Sequence, residues 1–167
     1  MEITLDQLLT SRENRCLRQQ EVIADYPDAT LVCLTVIMPG NVKRNFFSLI
    51  VAGAALQALI AAFDKTIKHI STRDLATGFE AYLVTDIPQL EAKKITCQIE
   101  DSHMLGRLFD IDVINCTGIP MQRTEVGHAP RQCLICDKES RYCMRNHSHS
   151  QEELQAKIRE MVEAYVH

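Results

Sequence analysis

Two carboxylates one residue apart, Asp110 and Asp112, are the side chains of this sequence best suited to hold a hard divalent cation. Residues i and i+2 of a strand share a face, so both acids point the same way, close enough to share one ion, typically Mg²⁺. Their neighbours Leu108, Phe109, Ile111 and Val113 are apolar, which predicts a half-buried strand. Two adjacent anions there repel strongly unless a cation joins them. The plainer alternative is an exposed strand with two solvated aspartates.

Several basic and small residues could complete a phosphate site. Gly106 precedes the acids, and glycine lets backbone approach a ligand; Arg107 can clamp phosphate oxygens bidentately. Pro39, Gly40 and Lys43 lie between a predicted strand and a predicted helix, where unpaired N–H groups seat phosphate; an ordinary strand-to-helix turn gives the same pattern. Arg12 and Arg15 lie on the first predicted helix, with a solvated face as the plainer reading, and Arg123 and Arg131 lie in loops downstream of the acids. His103 could act as a general base or simply fill a loop. The tail carries Cys133, Cys136, Cys143 and His147 at short spacing, with His149 near. Such ligands suit tetrahedral Zn²⁺ in a closed structural site, although the spacing matches no standard zinc pattern. The alternative is a cysteine-rich segment packing its thiols into the core.

Composition limits the partners. The 167 residues suit a single domain over 1–167, with 128–167 as a Cys/His-rich subregion. A net charge of −4, no Trp and 5% aromatic residues argue against a nucleic-acid partner. The sequence opens MEITLDQLL, without the pattern of a signal peptide. Seven cysteines, four of them scattered in apolar surroundings, suit a reducing cytoplasmic setting. Phe46 to Phe63 is apolar and at the lower length limit for a membrane span, but it is rich in alanine and reads as a buried core helix, with no membrane partner.

The elements that must position these residues follow from pattern. Thr4 and Gln7 form a capping box for a helix to about Ala24. Ala29 to Met38 reads as a buried strand, and a long helix is expected from about Arg44 to Lys68. Phe79 to Thr85 is a second strand, then Asp86 caps a helix through about Glu100. Arg107 to Ile114 is a third strand, and Met121 to Glu125 a short piece that pairs back. Ser150 and Glu153 cap a last amphipathic helix. The predicted fold is α/β or α+β: a small mixed sheet flanked by helices, nucleotidyltransferase-like in its D-x-D strand, with a Cys/His-rich helical tail.

The sequence resembles the apo-citrate lyase phosphoribosyl-dephospho-CoA transferases, the holo-acyl-carrier-protein synthases of citrate lyase. The likeness includes Arg12-Glu13-x-Arg15, the turn with Pro39, Gly40 and Lys43, and Thr77-Gly78. Its most specific stretches are HMLGRLFDIDV from His103 to Val113 and RQCLICDKESRYCMRNHSHS from Arg131 to Ser150. The resemblance implies a nucleotidyltransferase whose small-molecule substrate is triphosphoribosyl-dephospho-CoA. Its acceptor would be a serine of the citrate lyase acyl carrier protein, and pyrophosphate would leave. Asp110 and Asp112 would then hold Mg²⁺, with Arg107, Lys43, Arg123 and Arg131 neutralising the leaving group. The sequence departs from ordinary nucleotidyltransferases in having Arg107 where a serine is expected, only three residues before Asp110. A reading from another class is a non-catalytic zinc-knuckle module that binds a carrier protein.

Overall fold

A computed structural model describes residues 1–167. Helix α1 (Leu5–Asp25) starts at the expected capping box: the Thr4 hydroxyl accepts from the Gln7 N–H, and the Gln7 side chain accepts from the Thr4 N–H. Strand β1 (Thr30–Val36) and helix α2 (Phe46–Phe63) follow, the latter capped by a reciprocal Asn45–Ser48 pair. The helix expected to reach Lys68 stops at Phe63. Asp64 turns the chain with φ of 33°, and a 3₁₀ turn leads into strand β2 (Ile67–Leu75). The sequence pattern predicts no strand here. Strand β2 forms a hairpin with β3 (Gly78–Thr85).

Helix α3 (Gln89–Ser102) begins at Pro88 with no side-chain cap; Asp86, the expected cap, pairs instead with Lys68 at 2.6 Å. A 3₁₀ turn over Gly106–Leu108 takes the first part of the predicted third strand, leaving β4 as Phe109–Ile114. The chain pairs back only at Pro120, which bridges Ile114, and at Met121, whose N–H donates to the Val113 carbonyl at 2.9 Å; the rest of the expected extended piece is a 3₁₀ turn over Arg123–Val126. Helices α4 (Ser140–Asn146) and α5 (Gln151–Val166) close the chain, with Ser150 and Glu153 as the α5 capping box.

The strands form one sheet in the order β2-β3-β1-β4, and every pairing is antiparallel, so the sheet is not mixed. Alternation sorts the side chains into two layers. Val32, Leu34, Ala81, Leu83, Phe109, Ile111 and Val113 face α2, α3 and α5 and make the main core with Val51, Ala55, Leu59, Phe63, Ala92, Ile158 and Val162. Helix α2 is long and apolar enough to cross a membrane, yet its small residues let it pack on this face with Val51 and Ala55 fully buried.

The other face lies under α1, whose inward stripe changes character along its length. Near its C-terminal end Val22 joins Leu31, Tyr82, Val84 and Ile114 in a second apolar cluster. Near its N-terminal end the residues turned inward are Leu8, Ser11, Arg12 and Arg15, and a cavity opens there.

β4 is an edge strand, and an uncovered edge invites pairing with another chain. Here side chains cover it. Glu100 Oε1 accepts from the Ile111 N–H at 2.9 Å, and Lys93 Nζ lies 3.5 Å from the Ile111 carbonyl. Arg131 donates to the Phe109 carbonyl.

Candidate active site

The cavity has a volume of about 580 Å³ and lies between the first half of α1, the end of β1, the β2–β3 turn and the Cys/His tail. Sheet register explains its polar floor. Glu80 of β3, Thr35 of β1 and Asp110 of β4 are successive partners across the sheet, on the α1 face. Thr35 Oγ1 donates to Asp110 Oδ2 at 3.1 Å. One step along, Tyr82, Cys33 and Asp112 form the next row. Asp110 and Asp112 therefore do share a face, but only Asp110 lines the cavity. Burial first, and the Asp110 charge second, push the Asp112 carboxyl above its usual range. Burial pushes the neighbouring Cys33 thiol up to about 12, which favours its protonated form.

Cations line the opposite wall: Arg12 and Arg15 from α1, and Lys43 from the loop after β1. Lys43 Nζ donates to the Met38 carbonyl at 2.6 Å, and burial followed by the Arg12 charge lowers its pKa. Gly40 has a φ of +86°, and a Cβ there would also run into the Gln151 side chain. The α2 N-terminus beyond this loop is filled by its own Asn45–Ser48 cap.

The other candidate residues fall elsewhere or are engaged. Arg107 reaches the cavity edge, but its guanidinium donates to the carbonyls of Gln132 and Cys133 and so holds the tail against the 3₁₀ turn. Arg131 also borders the cavity while bound to Glu100 and the Phe109 carbonyl. Arg123 is outside the cavity, paired with Glu100 at 2.6 Å and with Asp101. Gly106 is buried where a Cβ would lie 2.3 Å from the Glu100 carbonyl oxygen, so its role is close packing. His103 sits on the core side of β4, its ring 4.8 Å from that of Phe109 and 5.6 Å from that of Tyr165. Its Nδ1 accepts from the Leu105 N–H, and burial lowers its pKa.

In the tail, ligand atoms of Cys133, Cys136, Cys143 and His149 lie within 4.8 Å of one another, a group that could hold a metal ion. The imidazole is that of His149, not His147. His147 ends α4 in a left-handed conformation with φ of 47°, whereas His149 Nε2 approaches Cys136 Sγ at 3.4 Å. Burial alone would raise the Cys133 thiol, but the N–H groups of Ile135 and Cys136 and the neighbouring sulfurs bring it down to about 7. Burial, and then the Cys136 and Cys133 sulfurs, push Cys143 up to about 11.

Sequence reasoning missed Glu80. It is buried, accepting from Arg15 Nε at 3.0 Å and from the Tyr82 hydroxyl at 2.7 Å. The signal was a lone acid inside the apolar strand FEAYLVT, since a buried charge demands a partner.

Comparison with known proteins adds a family. The family model described as apo-citrate lyase phosphoribosyl-dephospho-CoA transferase matches residues 3–165. A Vibrio cholerae protein named as a probable transferase of that kind is 37% identical, over 99% of this chain and 94% of its own length. A Streptococcus pyogenes protein with the same name is 35% identical, over 98% of this chain and 87% of its own length. The Haemophilus influenzae protein CitXG is 37% identical over 96% of this chain, and the match spans 35% of that longer protein.

Proposed function

The chain belongs to the apo-citrate lyase phosphoribosyl-dephospho-CoA transferase family, and from that premise we propose that it attaches this prosthetic group to a serine of the citrate lyase acyl carrier protein. The donor is triphosphoribosyl-dephospho-CoA. The serine oxygen bonds to the phosphorus next to the ribose, the bond from that phosphorus to the pyrophosphate oxygen breaks, and the serine proton passes to a base.

The observation that carries this reading is the cavity itself, with the Asp110 carboxylate on its floor and Arg12, Arg15 and Lys43 on its wall. Transfer at phosphorus depends on positioning and charge neutralisation more than on covalent catalysis. The three cations suit the leaving pyrophosphate. Asp110 and Asp112, with the Thr35 hydroxyl beside them, offer the hard oxygen donors that Mg²⁺ prefers. When bound, Mg²⁺ would draw charge from the phosphate oxygens. Val36, Phe79, Leu134 and Leu154 line apolar wall that would limit hydrolysis of the donor. Arg107 and Arg131 hold the cavity walls through the carbonyls they bind.

Three thiols and an imidazole suit tetrahedral Zn²⁺, and four protein ligands leave no open position. A zinc held there would be structural, and the reduced thiolates that would hold it fit a cytoplasmic enzyme. The cluster would equally serve a non-catalytic module that escorts a carrier protein, and one experiment separates the readings. The apo acyl carrier subunit is incubated with this protein, Mg²⁺ and the donor, and its intact mass is measured. The transferase gives a gain equal to the donor minus pyrophosphate, abolished in Asp110→Asn. No gain from folded protein and intact donor would leave the escort.

A further inference from the structure

Glu80 is a buried acid beside a cavity whose proposed ligand is an anion, and that placement needs a reason. Neither of its oxygens is free. Oε1 accepts from Arg15 Nε at 3.0 Å, Oε2 accepts from the Tyr82 hydroxyl at 2.7 Å, and Arg73 lies 3.8 Å from Oε2. Both oxygens are already engaged by neighbouring side chains, so the carboxylate is poorly placed to take a metal ion. Its nearest consequence is for Arg15. Nε is that guanidinium's one bond to protein, and the two Nη groups have no protein acceptor although Arg15 lines the cavity. The supports around the pair are built. Ser11 and Thr77 share a hydrogen bond of 2.7 Å that ties α1 to the β2–β3 turn. Arg15 stands one helical turn beyond Ser11, above Glu80.

We propose that Glu80 is a positioning residue: by taking Arg15 through Nε, it turns both Nη groups toward the cavity to receive the terminal phosphates of the donor and then pyrophosphate. The proposal rests on the transferase reading above. A flexible arginine loses rotamer freedom when it binds phosphate, and a guanidinium already anchored at Nε loses less. Arg12, on the same wall, has no such anchor.

The test is calorimetric titration of the purified protein with inorganic pyrophosphate, Mg²⁺ present. Glu80→Gln should bind roughly tenfold more weakly, the loss expected when one charge-assisted bond is misaimed. Arg15→Lys keeps the charge but lacks the fork, and it should weaken binding to a similar degree. The double variant should be no weaker than either single one, because both remove the same device. A role through charge alone makes the opposite prediction: removing an anion from the site should tighten pyrophosphate binding. Equal or tighter binding in Glu80→Gln, or additive losses in the double variant, would overturn the proposal. If circular dichroism shows Glu80→Gln unfolded, Tyr82→Phe replaces it. That variant frees only Oε2 and should still weaken binding measurably, while wild-type affinity would overturn the idea. Absence of pyrophosphate binding in the unmutated protein would overturn the proposal, whereas the transferase reading falls only if the mass gain on the carrier is absent.

Discussion

Asp112 illustrates how one side chain can be costly to the fold and useful to the site. Burial and the Asp110 charge disfavour its ionised form, so replacing it should relieve repulsion rather than create it. Without metal, Asp112→Asn should melt no lower than the parent while losing transfer; a large drop in Tm would mean that the pair supports the strand. His103 carries the opposite assignment. Its folded pKa is lowered by burial below the ordinary value of 6.5. The unfolded chain therefore takes the proton first as pH falls. The stability that neutral His103 contributes is complete above 6.5 and is lost as pH drops through the lowered value. Melting curves between pH 7 and pH 5 should fall less steeply for His103→Phe than for the parent, and transfer should survive. Loss of transfer in that variant would restore His103 as a catalytic base. The Asp110–Asp112 spacing could be read from sequence because a two-residue period is local. The Glu80–Arg15 pair could not, because it joins residues 65 positions apart.

At the scale of elements, β4 depends on the charged side chains along its outer edge. Glu100 is buried, and it binds the Ile111 N–H together with Arg123 and Arg131. Removing it should leave two arginines short of a partner and an edge amide unpaired. Glu100→Ala is expected to cost about 3–5 kcal/mol, the usual penalty for breaking a buried pair. Gly106→Ala should cost about 1–3 kcal/mol or more by overpacking, since its Cβ would meet the backbone at the end of α3. Urea unfolding measures both, and wild-type midpoints would mean that the edge is held by sheet pairing alone. Helices α1 and α5 were legible because Thr4–Gln7 and Ser150–Glu153 are signals within four residues. Strand β2 was not. Its sequence, IKHISTRDL, is polar and half-exposed, so its strand character comes from pairing with β3 rather than from a hydrophobic pattern. The wholly antiparallel order was hidden for the same reason, because sheet topology is a property of the partners.

Across the whole molecule, the cavity is a joint product of the two ends of the chain. Its α1 wall comes from the first residues, and the facing wall includes Gln132, Cys133, Leu134, Cys143 and His149. The tail is anchored by α5, whose Ile158 and Val162 enter the main core, and by Arg107 binding the carbonyls at Gln132 and Cys133. Between these anchors little apolar surface is buried, so a metal ion held by the thiols and His149 would add substantially to what fixes that wall. A metal present at a thousandfold its dissociation constant stabilises by about 4 kcal/mol. For a chain of this length that corresponds to on the order of 10 °C in Tm. The purified protein should carry zinc, and a strong chelator should lower its Tm by that order and abolish transfer even with Mg²⁺ in excess. Zinc, but not further Mg²⁺, should restore both. His149→Ala should lose the metal and His147→Ala keep it, since only the His149 imidazole joins the thiols. Metal-free protein with unchanged melting and full transfer would reduce the cluster to packed thiols, and the cavity wall would then need no ion.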